Sequence, residues 1–96
     1  MDVLTTEQLS QEIGELGNGW EERGGTLHKE YAFADFAGAM AFANRVADAA
    51  EAEDHHPDML VTWGKVELWW VNHSAGGITA KDVEMARRSD DAQTAA

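Results

Sequence analysis

Two runs of alternating apolar residues, 59–63 and 66–73, are separated by the dipeptide Gly64-Lys65. This feature constrains the chain most. A two-residue link with glycine first suits a type II′ turn, and that turn forces two antiparallel strands to pair directly across it. The expected register sets Trp63 against Val66, Val61 against Leu68 and Met59 against Trp70. Those six residues then share one apolar face, the expected core face. Leu60, Thr62, Glu67, Trp69, Val71 and His73 fall on the other.

A second hairpin precedes it. Gly24-Gly25 separates residues 20–23 from residues 26–33, and a glycine pair between extended segments reads as a turn. Leu27, Lys29, Tyr31 and Phe33 share one face of its second arm. Helices surround the hairpins. Thr5 with Gln8 three residues on forms a capping-box pattern, followed by Leu9, Ile13 and Leu16 at helical spacing. Asp35 caps a helix that runs to about Glu53, with Phe36, Ala39, Met40, Ala43, Val46, Ala47 and Ala50 as its apolar stripe. Phe42 lies beside the stripe and, with Ala39 and Val46, is expected to form a second face for another subunit. Pro57 excludes helix and pushes His56 toward extended geometry. Thr79 opens a last helix with Asp82 at its third position, and the polar tail from about Ser89 is expected to fray. The order αββαββα predicts an α+β fold, a four-stranded antiparallel sheet with helices packed on one face. A length of 96 residues allows one small domain, 1–96.

Charge and composition exclude whole classes. Acids number 18 against 7 lysines and arginines, a formal charge of −11, so a nucleic-acid or anionic-membrane partner is disfavoured. The absence of cysteine excludes disulfides, thiolate zinc sites and a cysteine nucleophile. No apolar run is long enough to span a bilayer, and the acidic start at residues 1–12 does not read as a signal peptide. A cytoplasmic protein is expected. A small fold without such staples often gains stability by oligomerising.

The titratable residues concentrate near one hairpin end. Continuing the expected register sets His56 opposite His73, their Cβ atoms roughly 5 Å apart. His55 adjoins His56, and Glu51 lies four residues before His55, on the same helical face if the last turn extends so far. Three readings stay open. Imidazoles titrating near neutrality can donate and accept protons, with a carboxylate fixing their tautomer. Three histidines and an acid can also hold zinc, although neighbours in extended geometry point opposite ways. Or these are polar residues at a sheet edge. Asp82 reads equally as a helix-capping acid. His28 reads as structural or exposed. Trp20 and Trp69 read either as packing residues or as rings that can stack on a flat heterocycle, whereas Trp63 and Trp70 read as core.

Glu51, His55-His56-Pro57, Trp63, His73 and Asp82 together resemble the signature of the pterin-4a-carbinolamine dehydratases. Gly19-Trp20, Asp35-Phe36, Arg45-Val46-Ala47, Gly64-Lys65 and Gly77-Ile78-Thr79 are similar to further family positions. The chain departs from the family's habits at Met59, Trp69, Val71 and Asn72, which bears on pocket shape. The resemblance implies the same αββαββα fold and dehydration of 4a-hydroxytetrahydropterin to quinonoid dihydropterin. That reaction recycles the pterin of aromatic amino-acid hydroxylases and uses no metal and no organic cofactor. It implies His55, His56 and His73 in the pterin site, with His55 and His73 as the main acid–base groups. Glu51 and Asp82 would orient the histidines, and Trp20 would border the ring. It also implies a homodimer or homotetramer, a pterin-dependent hydroxylase in the same pathway, and an alternative non-catalytic role in protein assembly or dimerisation.

Overall fold

The computed structural model describes residues 2–94. Three helices and four strands follow in the order α1 (Thr6–Leu16), β1 (Glu21–Arg23), β2 (Thr26–Ala32), α2 (Phe36–Glu53), β3 (Asp58–Thr62), β4 (Lys65–Trp70) and α3 (Ala80–Thr94). The strands form one antiparallel sheet in the order β1-β2-β4-β3, so the two hairpins join through β2 and β4 at its centre. This is the expected α+β architecture.

Local chemistry explains most element ends. The Thr5 hydroxyl accepts from the Gln8 N–H at 3.1 Å, and the Gln8 side chain accepts from the Thr5 N–H at 2.8 Å. The first helix therefore begins on a reciprocal capping box. Asp35 caps α2 by accepting from the Gly38 N–H at 2.8 Å. Gly24 and Gly25 have φ of 60° and 82°, the pair of left-handed conformations that closes a two-residue hairpin between Arg23 and Thr26.

The β3–β4 register differs from expectation. Thr62 pairs with Lys65, Val61 with Val66 and Met59 with Leu68, so the turn is Trp63-Gly64 and not Gly64-Lys65. The cause is tertiary. The Phe33 N–H donates to the Gly64 carbonyl at 2.8 Å, and a Cβ on Gly64 would lie 2.9 Å from the Phe33 carbonyl oxygen. The end of β2 thus docks on the turn where only glycine fits. The slip leaves every residue on its predicted face, because face follows the parity of position along each strand. Trp63 is the exception: it stands on the turn, 70% exposed, and not in the core.

The core lies between the sheet and the helices. Leu27, Tyr31, Val66, Leu68 and Trp70 supply the sheet side, and Ala39, Phe42, Ala43, Val46 and Ala50 the α2 side. Phe42 is fully buried, with ring centroids 4.5 Å from Tyr31 and 5.2 Å from Phe33, so it forms no outward face for a second subunit. Small alanines on α2 let the helix approach closely, and Phe42 fills the gap that remains. Phe36, assigned to the stripe, is half exposed in the first turn of α2.

The expected fraying from Ser89 does not occur within the described residues. The last helix continues to Thr94, and Ser89 is buried. Asp90 accepts from Lys29 Nζ at 2.8 Å, the Tyr31 hydroxyl at 2.5 Å and the Trp20 indole N–H at 3.0 Å. Burial pushes the Asp90 carboxyl up, but the donors Lys29, Tyr31 and Trp20 outweigh it and hold the group below the usual carboxylate range. Burial, and then Asp90, push the Tyr31 phenol far above its ordinary value. This cluster fastens α3 to β2 by charge-assisted bonds. Residues 95–96 of the tail lie outside the described residues.

Candidate active site

Two acid–imidazole pairs form where α2 runs into β3. The second helix ends on Asp54, whose φ of 48° and ψ of 44° turn the chain sharply, and the His55 N–H returns to the Ala50 carbonyl at 3.0 Å. Pro57 then keeps the segment extended. This turn sends His55 inward and His56 outward.

His55 Nε2 lies 2.6 Å from Asp82 Oδ1. Asp82 is fully buried in the first turn of α3. Its other oxygen accepts from the Thr79 N–H at 2.8 Å and from the Thr79 hydroxyl at 3.2 Å. One oxygen of Asp82 thus faces the His55 ring and the other satisfies the start of the helix. The helix N-terminus favours negative charge there. The His55 ring also lies parallel to Trp70, with centroids 5.9 Å apart and planes within 4°. Trp70 is itself fixed, its indole N–H donating to Ser89 Oγ at 3.1 Å and Ser89 donating to the Met85 carbonyl at 2.8 Å. The sequence predicts Trp70 in the core but not its link to Ser89, because Ser89 falls in the polar tail expected to fray.

His56 Nε2 pairs with Glu51. The i, i+4 spacing predicts Glu51 beside His55; the left-handed turn at Asp54 gives it to His56 instead. This pair is solvated, with side chains 52% and 76% exposed. His73 is exposed in the loop between β4 and α3. That loop is closed by the Ala75 N–H on Asn72 Oδ1 at 2.9 Å and by the Gly76 N–H on the Asn72 carbonyl at 3.0 Å. The expected His56–His73 cross-strand pair does not form. The third strand begins at Asp58 and β4 ends at Trp70, so both histidines lie beyond the ladder.

Other expected residues have different surroundings. Trp20 is 5% exposed, meets Tyr31 edge-on at 6.3 Å and directs its N–H to Asp90, so its ring is largely covered. Trp69, on the sheet face opposite the core residues, tilts against His28 with centroids 5.1 Å apart. His28 is buried between Glu21 at 3.3 Å and Glu67 at 3.0 Å. Its hydrogen bond, with help from Lys65, holds the Glu67 carboxyl below the usual range.

The arrangement suits proton transfer. An imidazole whose Nε2–H is directed at a carboxylate has its tautomer set, and Nδ1 is left as the working nitrogen. Among the described residues, no group of three or more histidine and acidic side chains is placed to hold a metal ion. At this junction Asp82 pairs with His55 and Glu51 with His56. A cavity of about 380 Å³ is lined by Leu4, Thr6, Leu9, Ser10 and Glu22, not by the histidines. Among the described residues, no helix is long and apolar enough to cross a membrane.

Comparison with known proteins converges on one group. The profile of the family described as Pterin 4 alpha carbinolamine dehydratase matches residues 2–92. A protein of Mycolicibacterium vanbaalenii, provisionally named a pterin-4-alpha-carbinolamine dehydratase, is 47% identical over 90 residues, covering 94% of this chain and 96% of its own. A protein of Koribacter versatilis with the same provisional name is 43% identical over 86 residues, covering 90% of each chain. The crystal structure of a transcriptional coactivator/pterin dehydratase from Brucella melitensis superposes with a TM-score of 0.91 at 28% identity, over 96% of this chain and 99% of that one. A pterin dehydratase-like protein identified as a RuBisCO assembly factor in the alpha-carboxysome shares the fold, with a TM-score of 0.69 at 23% identity, over 84% of this chain and 96% of that one.

Proposed function

The chain belongs to the pterin carbinolamine dehydratase family, and from that premise we propose that it dehydrates 4a-hydroxytetrahydropterin to quinonoid dihydropterin by histidine acid–base catalysis. The observation that carries the reading is the His55–Asp82 pair, a buried carboxylate 2.6 Å from an imidazole, with the exposed His56 next to it in the chain. The reaction needs one proton delivered and one removed. An acid protonates the 4a-hydroxyl, the C4a–O bond breaks and water leaves. A base takes the N5 proton as the C4a=N5 bond forms. His55 and His73 are the proposed pair for these steps. Asp82 holds the His55 ring and offsets the charge it gains on protonation, as Glu51 does more weakly for the solvated His56. In this reading the step recycles tetrahydropterin for aromatic amino-acid hydroxylation.

Stopped-flow absorbance on chemically generated 4a-hydroxytetrahydropterin tests the reading. Wild type should accelerate dehydration, and His55→Ala and His73→Ala should each lose about a hundredfold or more while staying folded. Wild-type rates in both variants would overturn the assignment.

A second reading is assembly or dimerisation on the same fold. The exposed Leu60 and Trp63, on β3 and its turn, support it. A homodimer or homotetramer is the proposed form, read by sedimentation equilibrium. A folded protein without turnover that binds a partner stoichiometrically would favour this second role.

A further inference from the structure

Helix α2 ends in an unusual electrostatic state. Glu51, Glu53 and Asp54 crowd its C-terminus, and its last turn carries no basic residue. Acids there oppose the helix dipole. The compensating cations come from another element. Lys81 Nζ contacts Glu53 Oε1, Arg88 Nη1 lies 3.1 Å from Glu53 Oε2, and Lys81 also meets Glu84 at 3.0 Å. Glu53 is thus forked between two cations of α3. Its carboxyl is held below the usual range by Lys81 and then Arg88, and Lys81 is raised by Glu53 and then Glu84.

Position makes this more than a surface ion pair. Glu53 precedes His55 by two residues, and Lys81 precedes Asp82 by one. The fork and the His55–Asp82 contact therefore join the same two short segments. Between Glu53 and His55 the chain passes through the left-handed Asp54, so His55 follows wherever the end of α2 is held. The Asp82 side of the contact is rigid: it is buried and bonded twice to Thr79. Among the described residues, the His55 side has no comparable anchor beyond its backbone bond to Ala50 and the Trp70 face. We infer that Glu53 is a positioning residue, which through Lys81 and Arg88 fixes the spacing of α2 and α3 at which the His55 ring meets Asp82 in register.

The inference rests on the dehydratase reading for its kinetic part only, and Glu53→Gln separates the two. Ring 15N shifts of His55, taken above its titration range, distinguish the two neutral tautomers whether or not the protein turns over pterin. Wild type should hold the Nε2–H tautomer, and Glu53→Gln should show an averaged mixture with its fold retained. Lys81→Gln should reproduce this. In the dehydration assay kcat should fall about tenfold with KM unchanged, as expected for a misplaced proton-transfer group. The same substitution in a His55→Ala background should cost nothing further. A tautomer as fixed in Glu53→Gln as in wild type, a mixture already present in wild type, or an averaged ring with kcat kept would each overturn the inference. Absence of turnover in every variant would sink the dehydratase reading and leave the tautomer result to decide whether Glu53 positions the ring.

Discussion

His55 Nε2 and Asp82 Oδ1 lie 2.6 Å apart, one after the end of α2 and the other in the first turn of α3. Asp82 is wholly buried, yet both of its oxygens are occupied, so the carboxylate serves the helix start and the imidazole together. Removing its charge should therefore cost activity and stability at once. Asp82→Asn is expected to lower kcat by about a hundredfold and to lower stability by about 2 kcal/mol, the cost of an imperfectly paired buried polar group. Glu51→Gln should change kcat by less than about threefold, because exposed pairs are screened and weak. Stopped-flow rates with urea denaturation of both variants check this; equal losses would contradict it.

Ser89 holds Trp70, and Trp70 backs His55. Ser89→Ala leaves a buried indole N–H without its acceptor, so unfolding free energy should fall by about 1–3 kcal/mol. A frayed tail would predict no change. Urea denaturation followed by circular dichroism separates these outcomes.

Asp90 should give the fold an acid-sensitive fastening. Its folded carboxyl is held below the ordinary value, so the unfolded chain takes up the proton first as pH falls. The stabilisation is present above about pH 4, the ordinary aspartate value, and is lost as pH drops through the lower folded value. Asp90→Asn should cost about 2 kcal/mol at neutral pH. The gap from wild type should close progressively below about pH 4. Thermal melts from pH 7 to pH 2 measure it, and a gap that stays constant would remove Asp90 from this role.

Phe42 and Trp63 should behave oppositely to their sequence-based places. Phe42→Ala empties a fully buried site and should cost about 3–5 kcal/mol. Trp63→Ser, at a position 70% exposed, should change stability by less than about 0.5 kcal/mol. Chemical denaturation of both reverses the assignment if Trp63→Ser proves the costlier.

The sequence by itself determined the element order, the faces of the strands and the residue types at the site. These follow from short-range rules. Thr5 with Gln8, Asp35 with Gly38, and Gly24 with Gly25 satisfy backbone groups within a few residues, and alternation assigns a strand face whatever its register. Tertiary structure decided what depends on packing between distant segments. The docking of Phe33 on Gly64 chose the turn, and with it the register and the exposure of Trp63. The gap between α2 and the sheet drew Phe42 inward. Bonds from Trp70 to Ser89, and from Lys29, Tyr31 and Trp20 to Asp90, held a polar tail in helix. The same holds at the site. The histidines and acids were legible as a set, but their pairing turned on Asp54, where a left-handed residue gives Glu51 to His56 and leaves His55 to Asp82. A pattern of residue types records which groups are present, and only the chain's path through that turn decides which of them touch.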